Sequence, residues 1–562
     1  MTDRFSCRRR PTVTVNVGNV KIGSEYPVRL QSMASTSTMD TDGSVAQCAR
    51  IAAAGAEIVR FTAQGVREAD NLANIRRRLR NEGVDVPLVA DIHFNPRAAF
   101  AAAKVVEKVR INPGNFVDPG RTFTRLEYTD EEYADEIRKI EDVFGPFLTL
   151  CAENNTAVRI GVNHGSLSDR IMSRYGDTPA GMAESAMEFL RVCVKRNFTD
   201  VVISVKASNV GVMVETVRRL VKAMDEEGMH FPLHLGVTEA GDGEDGRVKS
   251  ALGIGTLLSE GIGDTIRVSL SEEPECELPV ARMLEDYIDI LRQAPAVEGD
   301  YAPGYDPIVP LRRVSCAVGR IGGENAPVVI ASDESAQYEQ DLVPDIFASQ
   351  LKYVTVDAAK SLDEWGEIAH DSVVVMESSH PNYPGSMQAA LHEMMRRGMN
   401  NPVVAKVKYK GISADEVTVR ASVDLGALLL NGFRDGIWLE TDALSPAKTA
   451  RLAYGILQAA RLRITRTEYI SCPGCGRTLF DLQTTLAKVK AATASMRGLK
   501  IGVMGCIVNG PGEMADADYG YVGAGVGKVS LYRGKQCVEK NIPESEAVEH
   551  LLALIEADGK WK

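Results

Sequence analysis

The stretch AVRIGVN, residues 157–163, decides the fold of the N-terminal half, because it is a short β-branched run followed by a helix-length segment. Seven comparable runs recur between residues 28 and 270. The eight predicted strands are Val28–Met33, Glu57–Thr62, Pro87–Ile92, Lys108–Asn112, Ala157–Asn163, Val201–Ala207, Leu233–Glu239 and Thr265–Leu270. Eight strands that alternate with helices over about 250 residues favour a (β/α)8 barrel, with a doubly wound open sheet as the alternative.

Charged and polar side chains follow the carboxyl ends of these runs, which a barrel brings to one face. They are Arg60, Thr62, Asp91, His93, Arg110, Asn112, Arg159, Asn163, Lys206, Glu239, Arg267 and Ser269. Five of them are cations, and burying unpaired charge costs several kcal/mol for each group. The pattern therefore predicts a polyanionic ligand of diphosphate size, since arginine binds phosphate and carboxylate oxygens in pairs. The alternative is that several of these arginines form salt bridges at the barrel rim.

A second α/β region follows the predicted barrel. Residues 294–310 are rich in proline, glycine and aspartate, which is typical of a linker. The next strand candidates are Val328–Ala331, Tyr353–Val356, Ser372–Glu377, Val403–Lys408 and Gly436–Glu440. We expect a barrel domain over residues 1–293, an inserted α/β spacer domain over 294–445 and a C-terminal α/β domain over 446–562, which carries the cysteine motif described next. A regulatory ligand site in the inserted domain is the alternative to a spacer role.

Three cysteines near the C-terminus indicate a metal centre. Cys472 and Cys475 form a C-x-x-C pair, and Cys506 follows a predicted helix and a predicted strand. Three thiolates leave one coordination position free, which distinguishes a reactive centre from a structural one. A radical S-adenosylmethionine enzyme would need C-x3-C-x2-C, which this chain lacks.

Two kinds of metal centre compete for these cysteines. Structural zinc takes four cysteine or histidine ligands, and no histidine lies near Cys506 in the sequence. A [4Fe–4S] cluster held by three thiolates is favoured, with Glu513 placed after the Asn509–Gly512 turn to be the fourth ligand. A carboxylate binds more weakly than a thiolate, so an oxygen of a substrate could displace it. The alternative for Glu513 is a surface carboxylate.

Composition restricts the class of protein. The 562 residues are 44% hydrophobic and 25% charged, with a net charge of −12 that argues against broad nucleic-acid binding. No apolar run is long enough to cross a membrane, and the basic start MTDRFSCRRRPTVTV has no apolar signal region. Ten scattered cysteines fit a reducing compartment. We expect a cytoplasmic enzyme, or one of the plastid stroma in a plant, although no clear transit peptide is visible.

Several motifs resemble those of the 4-hydroxy-3-methylbut-2-enyl diphosphate synthase family. In the C-terminal part they are ISCPGCGRTLFDL, IGVMGCIVNGPGE and YGYVGAGVGKVSLYRG. In the first half they are VRLQSM, VRFTAQG, ADIHF, KVRINPGN, RIGVNHGS, ISVKAS, HLGVTEAG and IRVSL. The likeness covers about residues 20–290 and 446–562, and residues 300–445 look like the extra domain of the long, three-domain form of the family.

The resemblance implies a reaction of non-mevalonate isoprenoid biosynthesis, in which 2-C-methyl-D-erythritol 2,4-cyclodiphosphate is opened and dehydroxylated with two electrons from a [4Fe–4S] cluster. It implies that Cys472, Cys475, Cys506 and Glu513 hold this cluster. The positions that match substrate-binding residues of the family are Arg60, Asp91, Arg110, Arg159, Asn163, Lys206, Arg267 and Ser269. Glu239 matches a position suited to proton delivery, so Glu239 and Glu513 are the expected catalytic carboxylates.

The resemblance also implies partners. No nucleotide-binding motif is visible, so electrons are expected from ferredoxin or flavodoxin. Relatives with two domains place the cluster domain of one subunit over the barrel of the other, and a homodimer is compatible with this sequence. We expect the inserted domain to let the C-terminal domain reach its own barrel instead. The competing functions are an iron–sulfur redox sensor and an enzyme similar to sulfite or nitrite reductase.

Overall fold

The computed structural model describes residues 4–118, 127–508, 510–514 and 516–560. The strands are β1 Val15–Val17, β2 Val20–Ile22, β3 Arg29–Met33, β4 Ile58–Ala63, β5 Leu88–Ile92, β6 Lys108–Ile111, β7 Ala157–Asn163, β8 Val201–Lys206, β9 His234–Leu235, β10 Thr265–Ile266, β11 Val328–Ala331, β12 Ile346–Phe347, β13 Tyr353–Asp357, β14 Val373–Glu377, β15 Val403–Tyr409, β16 Gly436–Thr441, β17 Glu468–Ser471, β18 Lys500–Met504, β19 Tyr519–Gly525, β20 Lys528–Arg533 and β21 Gln536–Pro543.

The α-helices alternate with these strands over much of the chain. They are α1 Thr41–Ala53, α2 Val66–Asn81, α3 Pro96–Ala102, α4 Pro113–Phe116, α5 Asp130–Asn154, α6 Asp169–Tyr175, α7 Pro179–Lys195, α8 Val210–Glu226, α9 Gly243–Ser259, α10 Glu277–Gln293, α11 Tyr383–Arg396, α12 Ala414–Leu430, α13 Pro446–Ala459, α14 Leu482–Thr493, α15 Gly510–Glu513 and α16 Ala547–Ala557. The chain divides into two compact units. The barrel unit comprises residues 11–242, 263–281 and 466–562, and the second unit comprises residues 1–10, 243–262 and 282–465.

The barrel unit contains eight parallel strands, in the order β8-β7-β6-β5-β4-β3-β10-β9. Strand β10 pairs with both β3 and β9, and a parallel bridge between Ile203 and Leu233 joins β8 to the residue before β9. The sheet therefore returns to its first strand, and the predicted (β/α)8 barrel is confirmed. The open-sheet alternative is wrong because an open sheet would leave two unpaired edges.

A short hairpin, β1 and β2, lies against the amino ends of the barrel strands and was not predicted. Its Val15, Val17 and Ile22 are fully buried and form one apolar cluster with residues of β4, β5, β7 and β8. Apolar side chains thus fill the base of the barrel. The polar side chains of the barrel interior lie in the layers above this base, toward the carboxyl ends of the strands.

The C-terminal part of the barrel unit is a five-stranded sheet in the order β17-β18-β19-β20-β21. The first three strands are parallel, and the last two pairings are antiparallel. Helices α14 and α16 cover it through an apolar cluster that includes Leu486, Val489, Leu551 and Ile555. Since β17 and β18 are parallel neighbours, the loops that follow them leave the same edge of the sheet.

The second unit contains a six-stranded parallel sheet in the order β12-β11-β16-β15-β14-β13. Five of these strands match the predicted runs, and the two-residue β12 was not predicted. Helix α13 contacts β11 and β16, and helix α9 packs on α12. An added Cβ at Gly255 of α9 would lie 2.4 Å from the Val423 side chain, so glycine allows this close helix approach. The bounds of the three predicted domains stay predictions.

Within the second unit, a buried carboxylate bridges two tyrosines. Tyr287 and Tyr409 each donate a hydrogen bond of 2.6 Å to Asp424. Burial raises the pKa of the Asp424 carboxyl to about 7, although the two tyrosine hydroxyls and Arg420 oppose this shift.

The raised pKa of Asp424 predicts a pH-dependent stability. Between about pH 4 and pH 7 the folded chain retains a proton that the unfolded chain releases. The contribution of Asp424 to stability is therefore complete below pH 4 and decreases as the pH rises to about 7, by roughly 4 kcal/mol in all. The test is the difference between the unfolding midpoints of Asp424→Asn and wild type, measured from pH 5 to pH 8. This difference should change in favour of the variant as the pH rises. A constant difference would contradict the assignment.

Among the described helices, none combines the length and the apolar character that a bilayer crossing requires.

Candidate active site

One cavity of the barrel unit collects every predicted site residue. The barrel contributes Met33, Arg60, Asp91, His93, Arg110, Arg159, Asn163, Lys206, Thr238, Glu239, Arg267 and Ser269. The C-terminal part contributes Cys472, Pro473, Gly474, Cys475, Arg477, Thr478, Met504, Gly505, Cys506, Gly510 and Glu513. The carboxyl end of the barrel and the C-terminal sheet of the same chain thus form two walls of a single space. This agrees with the expectation that the C-terminal part reaches its own barrel.

Three of the five predicted cations have no carboxylate within salt-bridge distance among the described residues. These are Arg60, Arg159 and Lys206, and all three are buried. Burial lowers the pKa of Arg60 to about 10, and burial followed by the charge of Arg60 lowers the pKa of Arg159 and of Lys206. Such a group of cations is stabilised when an anion enters, because the anion supplies the charge that the protein lacks.

Arg159 is the most isolated of these cations. It is 1% exposed, and its Nε and Nη1 have no hydrogen-bond partner among the described residues. The side chain of Lys108 lies fully buried in the adjoining strand, and its Nζ is likewise unpartnered within the described chain. Buried donors without acceptors are rare in proteins, so the unpartnered guanidinium nitrogens of Arg159 could donate to an anion bound in the cavity.

The remaining two cations are paired with carboxylates. Arg267 donates to Glu277 through Nε (3.0 Å) and Nη2 (2.8 Å), and Ser32 also donates to Glu277 (2.7 Å). Arg110 donates to Asp91 through Nη1 at 3.0 Å and to Asn163 through Nη2 at 2.8 Å. The salt-bridge alternative thus holds for these two arginines, whose side chains are fixed in direction by their partners.

Asp91 is surrounded by positive charge. Its Oδ2 lies 3.6 Å from Nη2 of Arg477, and its Oδ1 accepts the bond from Arg110. Burial alone would raise the pKa of Asp91, but Arg60, Arg110, His93 and Arg477 hold it well below its usual range. Asp91 is therefore a permanent anion that connects the barrel to the C-terminal part.

The three predicted thiol ligands leave one edge of the C-terminal sheet. Cys472 and Cys475 follow β17, and Cys506 follows β18, with which β17 pairs in parallel. The backbone N–H of Gly505 donates to the sulfur of Cys472 at 3.3 Å. Burial raises the pKa of the Cys472 and Cys506 thiols. A bound metal would offset this by stabilising the thiolate form.

Glu513 belongs to the short helix α15 and faces the barrel. Its Oε1 accepts a hydrogen bond of 2.7 Å from Nδ2 of Asn163, and its backbone oxygen accepts one of 3.1 Å from Ser208. The backbones of Gly165 and Gly512 approach so closely that a Cβ on Gly165 would lie 2.3 Å from the Gly512 oxygen. Asn509, the first residue of the predicted turn before Glu513, lies outside the described residues.

Glu239 adopts a backbone conformation that residues other than glycine rarely use, with φ of 49°. Strain of this kind costs roughly 1–3 kcal/mol and is common at functional sites. Its Oε2 is buried without a hydrogen-bond partner among the described residues. Burial, followed by the charge and hydrogen bond of Glu513, raises the pKa of Glu239 well above its usual range. Glu239 is consequently a carboxyl group whose surroundings favour the protonated form.

Polar contacts join the C-terminal part to the barrel rim. Ser271 and Ser471 hydroxyls lie 2.7 Å apart, and Ala240 forms a parallel bridge with Ser471. At the periphery, Gln483 donates to Glu273 at 3.1 Å, and Lys490 forms an ion pair with Asp242. These rim contacts align the loop that carries Cys472 with the barrel.

The C-terminal wall of the cavity carries the donors of a candidate metal centre. In the described parts of the chain, no three histidine, cysteine or acidic side chains lie close enough to bind one metal ion. The thiols of Cys472, Cys475 and Cys506 nevertheless line one cavity with Glu513. Whether these donors hold zinc or a [4Fe–4S] cluster stays a prediction.

Two charged residues at the site were not predicted from the sequence. Arg477, two positions after Cys475, lines the cavity, and Glu277 orients Arg267. The position of Arg477 beside the C-x-x-C pair was a usable signal. No sequence signal indicated Glu277, because its pairing with Arg267 depends on how the first turn of α10 meets the end of the barrel.

Comparison with known proteins covers both parts of the barrel unit. The family described as GcpE TIM-barrel domain matches residues 12–282, and the GcpE protein C-terminal domain matches residues 468–557. A relative from Bacteroides thetaiotaomicron is 55% identical over 99% of this chain and 99% of its own length. A second, from Porphyromonas gingivalis, is 48% identical over the full length of both chains. Both relatives are named 4-hydroxy-3-methylbut-2-en-1-yl diphosphate synthase (flavodoxin).

These matches extend over the inserted region as well as the barrel and the cysteine-bearing part, since the relatives align with nearly the whole chain. The resemblance found in the sequence motifs is thereby confirmed. The chain belongs to the GcpE family.

Proposed function

We propose that this enzyme reduces 2-C-methyl-D-erythritol 2,4-cyclodiphosphate to (E)-4-hydroxy-3-methylbut-2-enyl diphosphate in non-mevalonate isoprenoid biosynthesis. The observation that carries the proposal is one cavity with cations on the barrel wall and three thiols with a carboxylate on the other wall. The reaction takes two electrons and one proton, opens the ring at a carbon–oxygen bond to phosphate, and releases one oxygen as water. It needs a polyanion site beside a redox centre, and the two walls supply both.

The barrel wall is proposed to bind the diphosphate. Arg60, Arg159 and Lys206 lack carboxylate partners among the described residues, so an incoming phosphate would satisfy their charge. Arg110 and Arg267 are held by Asp91 and Glu277 and present their remaining donors in fixed directions. The other proposed substrate-binding residues are Asp91, Asn163 and Ser269. As the ring opens, charge accumulates on the released phosphate oxygen, and these cations stabilise it.

The opposite wall is proposed to hold a [4Fe–4S] cluster through Cys472, Cys475, Cys506 and Glu513. When bound, such a cluster supplies electrons and a Lewis-acidic site in one place. Asn163 orients the carboxylate of Glu513 by donating to Oε1, and it also accepts from Arg110. Glu513 is thereby connected to the residues that would hold the substrate.

Glu239 is proposed to deliver the proton. Its carboxyl is buried beside Glu513, and Oε2 has no competing partner within the described chain. A proton held at Glu239 can pass to the departing hydroxyl, which then leaves as water. The strained backbone at this residue fixes the direction of the carboxyl toward the cavity.

The proposed electron donor is flavodoxin, which the names of the relatives include. No nicotinamide-binding motif is visible in the sequence, which also favours a protein donor. The ten cysteines, all of them within the described residues, form no disulfide, and we propose the cytoplasm as the location.

The proposal is tested by purification without oxygen, followed by iron and sulfide analysis. We expect about four irons and four sulfides per chain, as the cluster formula requires, and conversion of the cyclodiphosphate when reduced flavodoxin is supplied. A coloured, iron-loaded protein without turnover would favour the redox sensor. Turnover by a preparation that contains zinc and no iron would overturn the mechanism.

Mixed chains test whether each active site is built within one chain. Arg110→Ala disables the barrel wall, and Cys506→Ala disables the thiol wall. Because the two walls belong to one chain here, mixtures of the two variants should remain inactive after dissociation and reassociation. The control is wild type mixed with either variant, which should retain the activity of its wild-type fraction. Recovery of activity in the doubly mutant mixture would mean that walls from different chains combine.

A further inference from the structure

Arg477 is the buried cation that the proposed function leaves without a role. It lines the cavity and is 9% exposed. Its Nη2 lies 3.6 Å from Oδ2 of Asp91 in strand β5. Nε of Arg477 has no hydrogen-bond partner among the described residues. The side chain therefore extends from the C-terminal wall into the barrel wall, where one carboxylate faces it.

The same guanidinium lies among the proposed thiol ligands. Arg477 lies two residues after Cys475 and lines the same cavity as the Cys475 and Cys506 side chains. A guanidinium stays protonated in proteins. Arg477 is thus a permanent positive charge between two proposed cluster ligands and the barrel.

We propose that Arg477 is a positioning residue that raises the reduction potential of the iron–sulfur cluster and links it to Asp91, an inference that rests on the proposed function. An electron added to a cluster increases its negative charge, and a nearby buried cation lowers the energy of that reduced state. Arg477 supplies such a charge from a buried side chain on the cavity wall.

Asp91 acts in the opposite sense. Its negative charge partly cancels that of Arg477, and it also holds Arg110 against the barrel wall. Removing Asp91 would leave the charge of Arg477 uncompensated and should move the potential of the cluster upward. Replacing Arg477 and replacing Asp91 should therefore shift the midpoint potential of the cluster in opposite directions. A general loss of structure would not produce that result.

The test is a redox titration of the purified, iron-loaded enzyme without substrate, followed by electron paramagnetic resonance. Arg477→Gln should lower the midpoint potential enough to reduce the ratio of reduced to oxidised cluster about tenfold at fixed ambient potential, or about 59 mV for one electron. The midpoint potential of Arg477→Lys should stay near that of wild type, and the midpoint potential of Asp91→Asn should be higher. Lys488→Gln, which removes a charge from the exposed face of α14, is the matched control and should not shift.

Turnover separates this role from substrate binding. With reduced flavodoxin, Arg477→Gln should show a lower kcat, while a strong chemical reductant restores most of the rate. An unchanged potential in iron-loaded Arg477→Gln would overturn the proposal, and a raised KM alone would assign Arg477 to substrate binding. If Arg477→Gln fails to retain its cluster, the Asp91→Asn variant still tests the proposal. An unshifted or lowered midpoint potential in Asp91→Asn would also overturn it. Wild-type protein without any cluster would refute the proposed function itself.

Discussion

Replacing Cys506 with serine is expected to abolish turnover and to remove most of the iron and sulfide. Cys506 follows β18 and shares the cavity with Cys472, Cys475 and Glu513. Changes around metal ligands typically reduce affinity or activity by roughly 10- to 100-fold, and loss of a ligand should exceed that range. The measurements are iron and sulfide content, the visible absorption spectrum and the conversion of the cyclodiphosphate.

The matched control is Cys537→Ser in the same sheet. Cys537 belongs to β21, and its sulfur lies 3.6 Å from the backbone oxygen of Glu539. It does not line the cavity, so iron content and turnover should remain near those of wild type. Full activity in a Cys506→Ser enzyme, or an equal loss in Cys537→Ser, would contradict the assignment of the three cysteines.

Replacing Arg159 with methionine is expected to weaken substrate binding strongly without destabilising the fold. Arg159 is buried and lacks a carboxylate partner among the described residues. Its uncompensated charge therefore destabilises the folded protein until an anion binds. Truncating one partner of a buried charge pair costs about 2–5 kcal/mol, or roughly 30- to 5000-fold in affinity. The measurements are KM and the dissociation constant of the cyclodiphosphate, together with the thermal unfolding midpoint of the enzyme without ligand.

The control for Arg159 is Arg191→Met on helix α7. Arg191 is partly exposed and pairs with Glu184 and Glu227, so its loss should change both affinity and stability little. An Arg159→Met enzyme with normal affinity would remove the barrel cations from the proposed binding site. A large loss of stability would mean that Arg159 has a structural partner in the folded protein.

Most of the barrel could be predicted because its strands are β-branched runs that each precede a helix. Strands β3–β8 begin and end within a residue or two of the predicted runs. The hairpin β1–β2 and strand β12 escaped prediction because segments of two or three residues carry no periodicity. The grouping of α9 with α12 also escaped, since it depends on the contact of Gly255 with Val423 across more than 150 residues.

The residues of the candidate site could be predicted where the order of strands and helices alone brings them together. Residues at the ends of parallel strands had to meet at one face, so Arg60, Arg159 and Lys206 could be identified in advance. Which cations would be neutralised could not be predicted, because Arg267 finds Glu277 through the three-dimensional placement of α10. Arg477 was missed for a related reason, since its partner Asp91 lies nearly 400 residues earlier in the chain.

The rim contacts around Ser271 and Ser471 have a consequence for how the cavity is entered. Hydrogen bonds and peripheral ion pairs of this kind contribute little net free energy, because water replaces them when the surfaces separate. An empty cavity can therefore open to solvent at low cost, whereas a bound polyanion that touches both walls holds them shut. Closure of the two walls around a bound substrate would exclude solvent from the cavity before reduction begins.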